Sequence, residues 1–230
     1  MKRLVTMFVS MLMLAVFAAS ASAAPRVPQI VVNGGTLQGY LNSVSETINV
    51  NTDQLDIQRW TSTVSNNSTF SIQVEFSGNA GSNSVGLYNA SLAAPPLYQV
   101  FPGAATAGWF AIASFRTAPI RVVVNLFDNN AAPQGNITYL GADKNDFGFY
   151  LQQQGGLVLY TQDSRNGGNA QALAYAGNGI NAGSWWLCWE DATPAQGADN
   201  DFDDFVLFLE SVNPTPVSKT TWGQLKRHFN

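Results

Sequence analysis

Apolar and polar positions alternate with a period of two through most of this chain, and that period predicts strands. The clearest case is Phe70-Ser71-Ile72-Gln73-Val74-Glu75-Phe76. Phe70, Ile72, Val74 and Phe76 fall on one side; Ser71, Gln73 and Glu75 fall on the other, as in a strand with one face on a core and one in water. Further strands are predicted over residues 84–88, 97–101, 109–115 and 120–127, the last closed by an Asp128-Asn129-Asn130 turn. Residues 147–152 and 157–161 form a predicted hairpin about Gly155-Gly156. Residues 170–176, 185–189 and 205–212 complete the set. Nearer the N-terminus the pattern is weak. Short strands are expected over 29–32, 48–50 and 55–60, the first ended by Asn33-Gly34-Gly35. Helical periodicity is nearly absent. About ten to twelve short strands between Gly, Asn and Pro turns predict an all-β domain, a β-sandwich or jelly roll.

Two end segments fall outside this pattern. Lys2 and Arg3 precede an apolar run to Ala19, and Ala21-Ser22-Ala23 is a small-residue cleavage site. Residues 1–23 are therefore expected to be a secretory signal peptide, with the mature domain over 24–213 and no transmembrane segment after cleavage. Residues 214–230 form a linker, Pro214-Thr215-Pro216, and a basic tail. Trp222, Leu225 and Phe229 lie at i, i+3 and i+7 there, a spacing that permits a short amphipathic helix.

Composition narrows the chemistry. The formal charge is −4, and removal of Lys2 and Arg3 with the leader takes it to −6. So acidic a chain is a poor partner for nucleic acid or an anionic membrane. Cys188 is the single cysteine, so no internal disulfide forms; within its apolar run it is expected to be a small buried hydrophobe. His228, the single histidine, lies in the tail, which excludes a Ser-His-Asp or Cys-His site within the domain.

The charge is concentrated in one place. Glu190, Asp191, Asp199, Asp201, Asp203 and Asp204 join two very apolar predicted strands, and no Lys or Arg occurs between Arg165 and Lys219. Ca²⁺ takes six to eight oxygen ligands, mostly carboxylates and carbonyls. The six carboxylates are accordingly the expected Ca²⁺ ligands, while the lack of Cys or His among them excludes a typical zinc or copper site. The competing reading is a solvated acidic turn, because Asp and Asn favour turns without any metal. An EF-hand does not fit. Asp204 stands where that loop needs Gly, and Glu210, on the following strand, would lie roughly 20 Å away at about 3.3 Å per residue.

Trp185, Trp186 and Trp189 beside these acids allow a lectin-like module that stacks on sugar rings. The alternative is core packing, with Trp185, Leu187 and Trp189 on one face and Trp186, Cys188 and Glu190 on the other. Paired carboxylates also serve glycoside hydrolysis, but six acids crowded into one loop suit a cation better than two groups set across a cleft.

Trp189-Glu190-Asp191 followed by Asp199-Asn200-Asp201-Phe202-Asp203-Asp204-Phe205-Val206 resembles the acidic signature of a bacterial exported family, domain of unknown function 4114. The stretches 80–88, 147–151 and 160–164 are also similar to its members, and the resemblance spans roughly residues 55–212. It implies an all-β fold and a calcium role for the signature, with Asp199, Asp201 and Asp204 at its strongest positions and Asp203 at a weaker one. Many members are secreted, and a good number end in a Pro-Glu-Pro motif, an apolar helix and a basic cluster. Here Pro214-Thr215-Pro216 stands in that place and no apolar helix follows. The expected function is a secreted, calcium-stabilised structural or adhesive module of the cell surface or matrix, contacting surface polysaccharide or matrix protein and not an enzyme. The alternative is a calcium-dependent carbohydrate-binding module, and the third reading is a polysaccharide hydrolase.

Overall fold

A strand satisfies its backbone amides only by pairing, and here the strands pair into two antiparallel sheets. The structure is a computed structural model that describes residues 23–77 and 81–215, so the predicted leader before Ala23 and the Trp222–Phe229 tail lie outside the described residues. The strands are β1 (Trp60–Ser62), β2 (Asn67–Val74), β3 (Ser84–Asn89), β4 (Leu97–Phe101), β5 (Phe110–Thr117), β6 (Ile120–Phe127) and β7 (Pro133–Leu140). They continue as β8 (Phe147–Gln152), β9 (Val158–Tyr160), β10 (Ala172–Ala176), β11 (Trp185–Trp189), β12 (Phe205–Glu210) and β13 (Val212–Pro214). One sheet runs β10-β11-β12-β2-β5-β6-β7; the other runs β13-β1-β8-β3-β4, with β9 also on β8. The domain is an all-β sandwich, as the alternation predicts. Among the described residues no helix is long and apolar enough to cross a membrane.

The main core lies between the sheets. Phe70, Ile72, Phe115, Leu187, Trp189, Phe205 and Leu207 from the first sheet meet Trp60, Leu87, Phe101, Phe147, Phe149 and Leu151 from the second. Rings meet edge to face, as in Phe70–Phe149 at 5.1 Å between centroids, the arrangement the ring quadrupoles favour. The hairpin of β8 and β9 forms as expected, with Tyr150 opposite Tyr160.

A second cluster covers the outer face of the β10-β11-β12 end, and its lid is a helix that the strand pattern does not predict. Helix α1 (Thr36–Ser43) carries Leu37, Tyr40 and Leu41 at i, i+3 and i+4, with Val44 just beyond. Leu37 and Leu41 are buried against Tyr175, Trp186, Cys188 and Val206. The expected strand over 29–32 is not one. There the amide of Gln54 plays the neighbouring strand, accepting from Ile30 N at 2.8 Å and donating to Ile30 O at 2.6 Å. Residues 48–50 also form no strand; Ile48 and Val50 simply bury their side chains under the helix. Conversely β7, an exposed edge strand, carries too little apolar alternation to be predicted, and pairing with β6 from Arg121–Leu140 onward holds it.

Two bulk expectations are corrected by backbone irregularities. Val74 leaves the face shared by Phe70 and Ile72 because a bulge shifts the register between Val206 and Leu207, which puts Val74 into the second cluster. Phe76 lies past the strand end and is exposed. The predicted strand 205–212 is broken at Ser211, whose φ of 58° turns the chain from β12 in one sheet to β13 in the other.

Candidate metal centre

Register builds the site. β11 and β12 are antiparallel with Trp189 opposite Phe205, so Glu190 and Asp191 leave one strand where Asp203 and Asp204 enter the other. The backbone N–H of Asp191 donates to Asp204 Oδ2 at 2.8 Å, which closes this junction. The intervening loop opens with a 3-10 turn, Pro194–Gln196, whose entry is fixed by a capping box between Thr193 and Gln196. It then runs through Asn200 and Phe202, both left-handed at φ 61° and 54°. A phenylalanine in that region is strained by about 1–3 kcal/mol. Its side chain is fully buried in the second cluster, which offsets the cost by a similar amount.

Phe202 thus anchors the loop between Asp201 and Asp203, and the Asp203 N–H donates to Asp201 Oδ1 at 3.3 Å across it. One carboxylate oxygen each from Glu190, Asp199 and Asp201 lie within 4.8 Å of one another, and so do one each from Glu190, Asp191 and Asp204. Glu190 belongs to both triads. Asp203 belongs to neither: it is buried, with the side chains of Asp201 and of Thr36, at the start of α1, beside it. Glu210 ends β12, exposed and away from the junction, as the strand geometry requires.

Polar neighbours from the loop itself and from distant segments hold these acids. Asn200 N donates to Glu190 Oε2 at 2.8 Å and Ala192 N to Oε1 at 3.3 Å. Asn33 binds the loop from outside, its N–H on Asn200 O at 2.9 Å and its amide on Asp199 O. Asp191 accepts from the Ser77 hydroxyl and from Asn83 Nδ2 at 2.6 Å. Gln153 donates to Asp191 O, and Gln171 to the carbonyls of Glu190 and Ala192 at 3.2 and 2.9 Å. Asn33, Ser77, Asn83, Gln153 and Gln171 leave no trace in the local pattern around the acids, because each arrives from another strand or turn. Glu75 is a further addition. It reads as solvent-facing in the alternation, yet it is half-buried and senses the charge of Asp191.

The electrostatics are those of like charges without a counter-charge. Burial, then repulsion from Asp204, pushes the Glu190 carboxyl up to about 8. Burial, then Asp191, pushes Asp204 up to about 7; burial, then Asp201, pushes Asp203 up to about 6. Asp201 is raised too, by burial and by Asp199. The ion pairs among the described residues, Arg26–Asp163 and Arg59–Asp146, lie elsewhere. The donor set is all oxygen, which fits a hard cation. Opposite oxygens on one Ca²⁺ are separated by about 4.6–5.2 Å, so either triad fits its coordination sphere.

Trp186 and Trp189 are buried, and Trp185 is half-buried with its Nε1 donating to Val212 O at 3.0 Å. Trp185 and Trp189 pack with Leu187 on the inter-sheet face, and Trp186 with Cys188 on the helix-covered face, so core packing accounts for all three. Trp186 also donates its Nε1 to Glu46 at 2.8 Å. Cys188 is fully buried, and burial pushes its thiol far up, as for an inert core residue. Compared with protein-family models, with curated proteins and with solved structures, the chain matches none.

Proposed function

We propose that this chain is a secreted, calcium-stabilised β-sandwich with a structural or adhesive role at the cell surface or in extracellular matrix, its partner a surface polysaccharide or matrix protein. One observation carries the proposal: two carboxylate triads meet at Glu190, at the junction of β11 and β12, with no base among them. Ca²⁺ supplies the missing positive charge and ties the loop that precedes β12 to the end of β11. The role is binding rather than catalysis, since general acid–base hydrolysis needs two carboxyls facing each other across a substrate cleft. A structural module is preferred over a lectin because Trp186 and Trp189 are buried in the core and Trp185 packs against it. Kinship with the exported family whose acidic signature the chain resembles belongs to the same proposal, through Glu190, Asp191, Asp199, Asp201 and Asp204.

The test is thermal unfolding of the purified chain after exhaustive chelation and again with Ca²⁺ restored. An ion present at 100 times its dissociation constant stabilises by about 2.7 kcal/mol. For a domain of this size that is about 5–10 °C in Tm. A melt that neither chelator nor Ca²⁺ moves overturns the calcium reading. A glycan array run with and without chelator then addresses the partner: Ca²⁺-dependent sugar binding replaces the structural module with the lectin.

A further inference from the structure

We infer that the junction holds two divalent cations bridged by Glu190, one on Asp199 and Asp201 and one on Asp191 and Asp204, the second completed by the side-chain oxygen of Asn83. The inference rests on the calcium reading above and goes beyond it in number, ligands and consequence. The geometry that points to it is the division of the acids. In each triad one carboxylate oxygen from each residue lies within 4.8 Å of the other two, but Asp199 and Asp201 do not join Asp191 and Asp204 in one such group. Ligands of a single Ca²⁺ are confined to about 5 Å across, so a single ion serves one triad and leaves the other unserved. Glu190 stands in both, and a carboxylate with two oxygens can give one to each centre. Charge counting agrees. The six carboxylates from Glu190 to Asp204 carry six negative charges; one divalent ion leaves four of them uncompensated, and two ions leave two.

An independent observation lies outside the acids. Asn83 is 1% exposed, and its Oδ1 is buried with no hydrogen-bond partner. Its Nδ2 sits 2.6 Å from Asp191 Oδ2, and the orphaned oxygen, about 2.3 Å from that nitrogen in the same planar amide, therefore lies within about 5 Å of the carboxylate. A buried acceptor left unpaired costs about 1–3 kcal/mol, and placing it next to an anion adds repulsion. A cation between the two removes both penalties. Gln171 repeats the arrangement. It is also 1% exposed with an unpartnered Oε1, and its amide nitrogen is bound to the carbonyls of Glu190 and Ala192. Among the described residues, the two buried side-chain amide oxygens without a donor thus both belong to residues bonded to the Glu190-Asp191-Ala192 segment. Asn83 immediately precedes β3, in the opposite sheet from β11 and β12. The second ion therefore does what the first does not: it ties one sheet to the other.

The experiment is the stoichiometry of Ca²⁺ on the full chain, by equilibrium dialysis with elemental analysis after chelator treatment. Two ions per chain are expected. Asp199→Asn and Asp204→Asn are each expected to retain one ion, and Glu190→Gln to lose the bridge and with it at least the weaker ion. Asn83→Ala is expected to weaken one of the two binding steps by about tenfold and leave the other unchanged. One ion per wild-type chain overturns the inference and leaves the calcium reading standing. No bound ion overturns both. Two ions that Asn83→Ala leaves untouched overturn the assignment of Asn83. Circular dichroism of each variant separates loss of a ligand from loss of the fold.

Discussion

Glu190 shows how a single residue combines fold and charge. The alternation that sends Trp189 into the inter-sheet core turns Glu190 to the opposite face, where the chain has to bury a carboxylate without a base. Protonation is its relief in the metal-free protein, and this has a signed consequence. The folded-state values of Glu190, Asp203 and Asp204, about 8, 6 and 7, lie above the unfolded carboxylate range near 4. Groups raised in this way favour the folded state most below about pH 4, and the advantage is lost as pH rises through the folded values. With chelator present, Tm is expected to fall by on the order of 5 °C between pH 5 and pH 8. With saturating Ca²⁺ the fall is expected to disappear, because the ion stabilises the ionised carboxylates that the bare loop resists. A chelated protein that gains stability over the same window contradicts the charge arrangement. The acids themselves were legible in the sequence. Their division into two triads, and the exclusion of Asp203 from both, were not, since both depend on the backbone turning at Asn200 and Phe202.

At the scale of elements, two features carry different risks. Helix α1 was written in the chain as Leu37, Tyr40, Leu41 and Val44, but about two turns of period 3.6 are easily lost among strands. What makes it a helix is the surface beneath it: β11 buries both faces, and the face with Trp186 and Cys188 needs a lid. Leu41→Ala is expected to cost about 3 kcal/mol, through lost transfer energy and the cavity left behind. In thermal denaturation that is about 6–12 °C. A change under 2 °C would mean that the lid contributes little. β3 carries the opposite constraint. A Cβ on Gly86 would stand 2.2 Å from Tyr98 O and 2.7 Å from the Tyr150 ring, against backbone that cannot yield without breaking the β3–β4 pairing. Gly86→Ala is expected to destabilise by about 3 kcal/mol or more and to lower the yield of folded protein, whereas Gly135→Ala, which meets nothing within 4 Å, serves as the neutral control. Equal melts for the two variants would remove the packing argument.

The whole molecule joins two kinds of information. Alternation determined that this is an all-β chain with most strands where they are found, because a half-buried strand has to place every second side chain in the core. The same local rule placed Trp185 and Trp189 on one face and Trp186 and Cys188 on the other, and the acids at the mouth of the two most apolar strands. Those properties are fixed by residues close together along the chain. Tertiary structure alone decided which strands are neighbours, that a helix and the Gln54 amide would cover and pair the N-terminal region, and that β7 would survive as an exposed edge. It also brought Asn83, Gln171, Ser77 and Asn33 to Glu190, Asp191 and Asp199 across long stretches of chain. A polar side chain with a distant partner leaves no periodic trace, since its position is set by the sheet order and register of other segments. The acidic stretch by itself determined that a cation was wanted; only the packing of two sheets decided how its ligands are divided and which buried oxygens stand beside them.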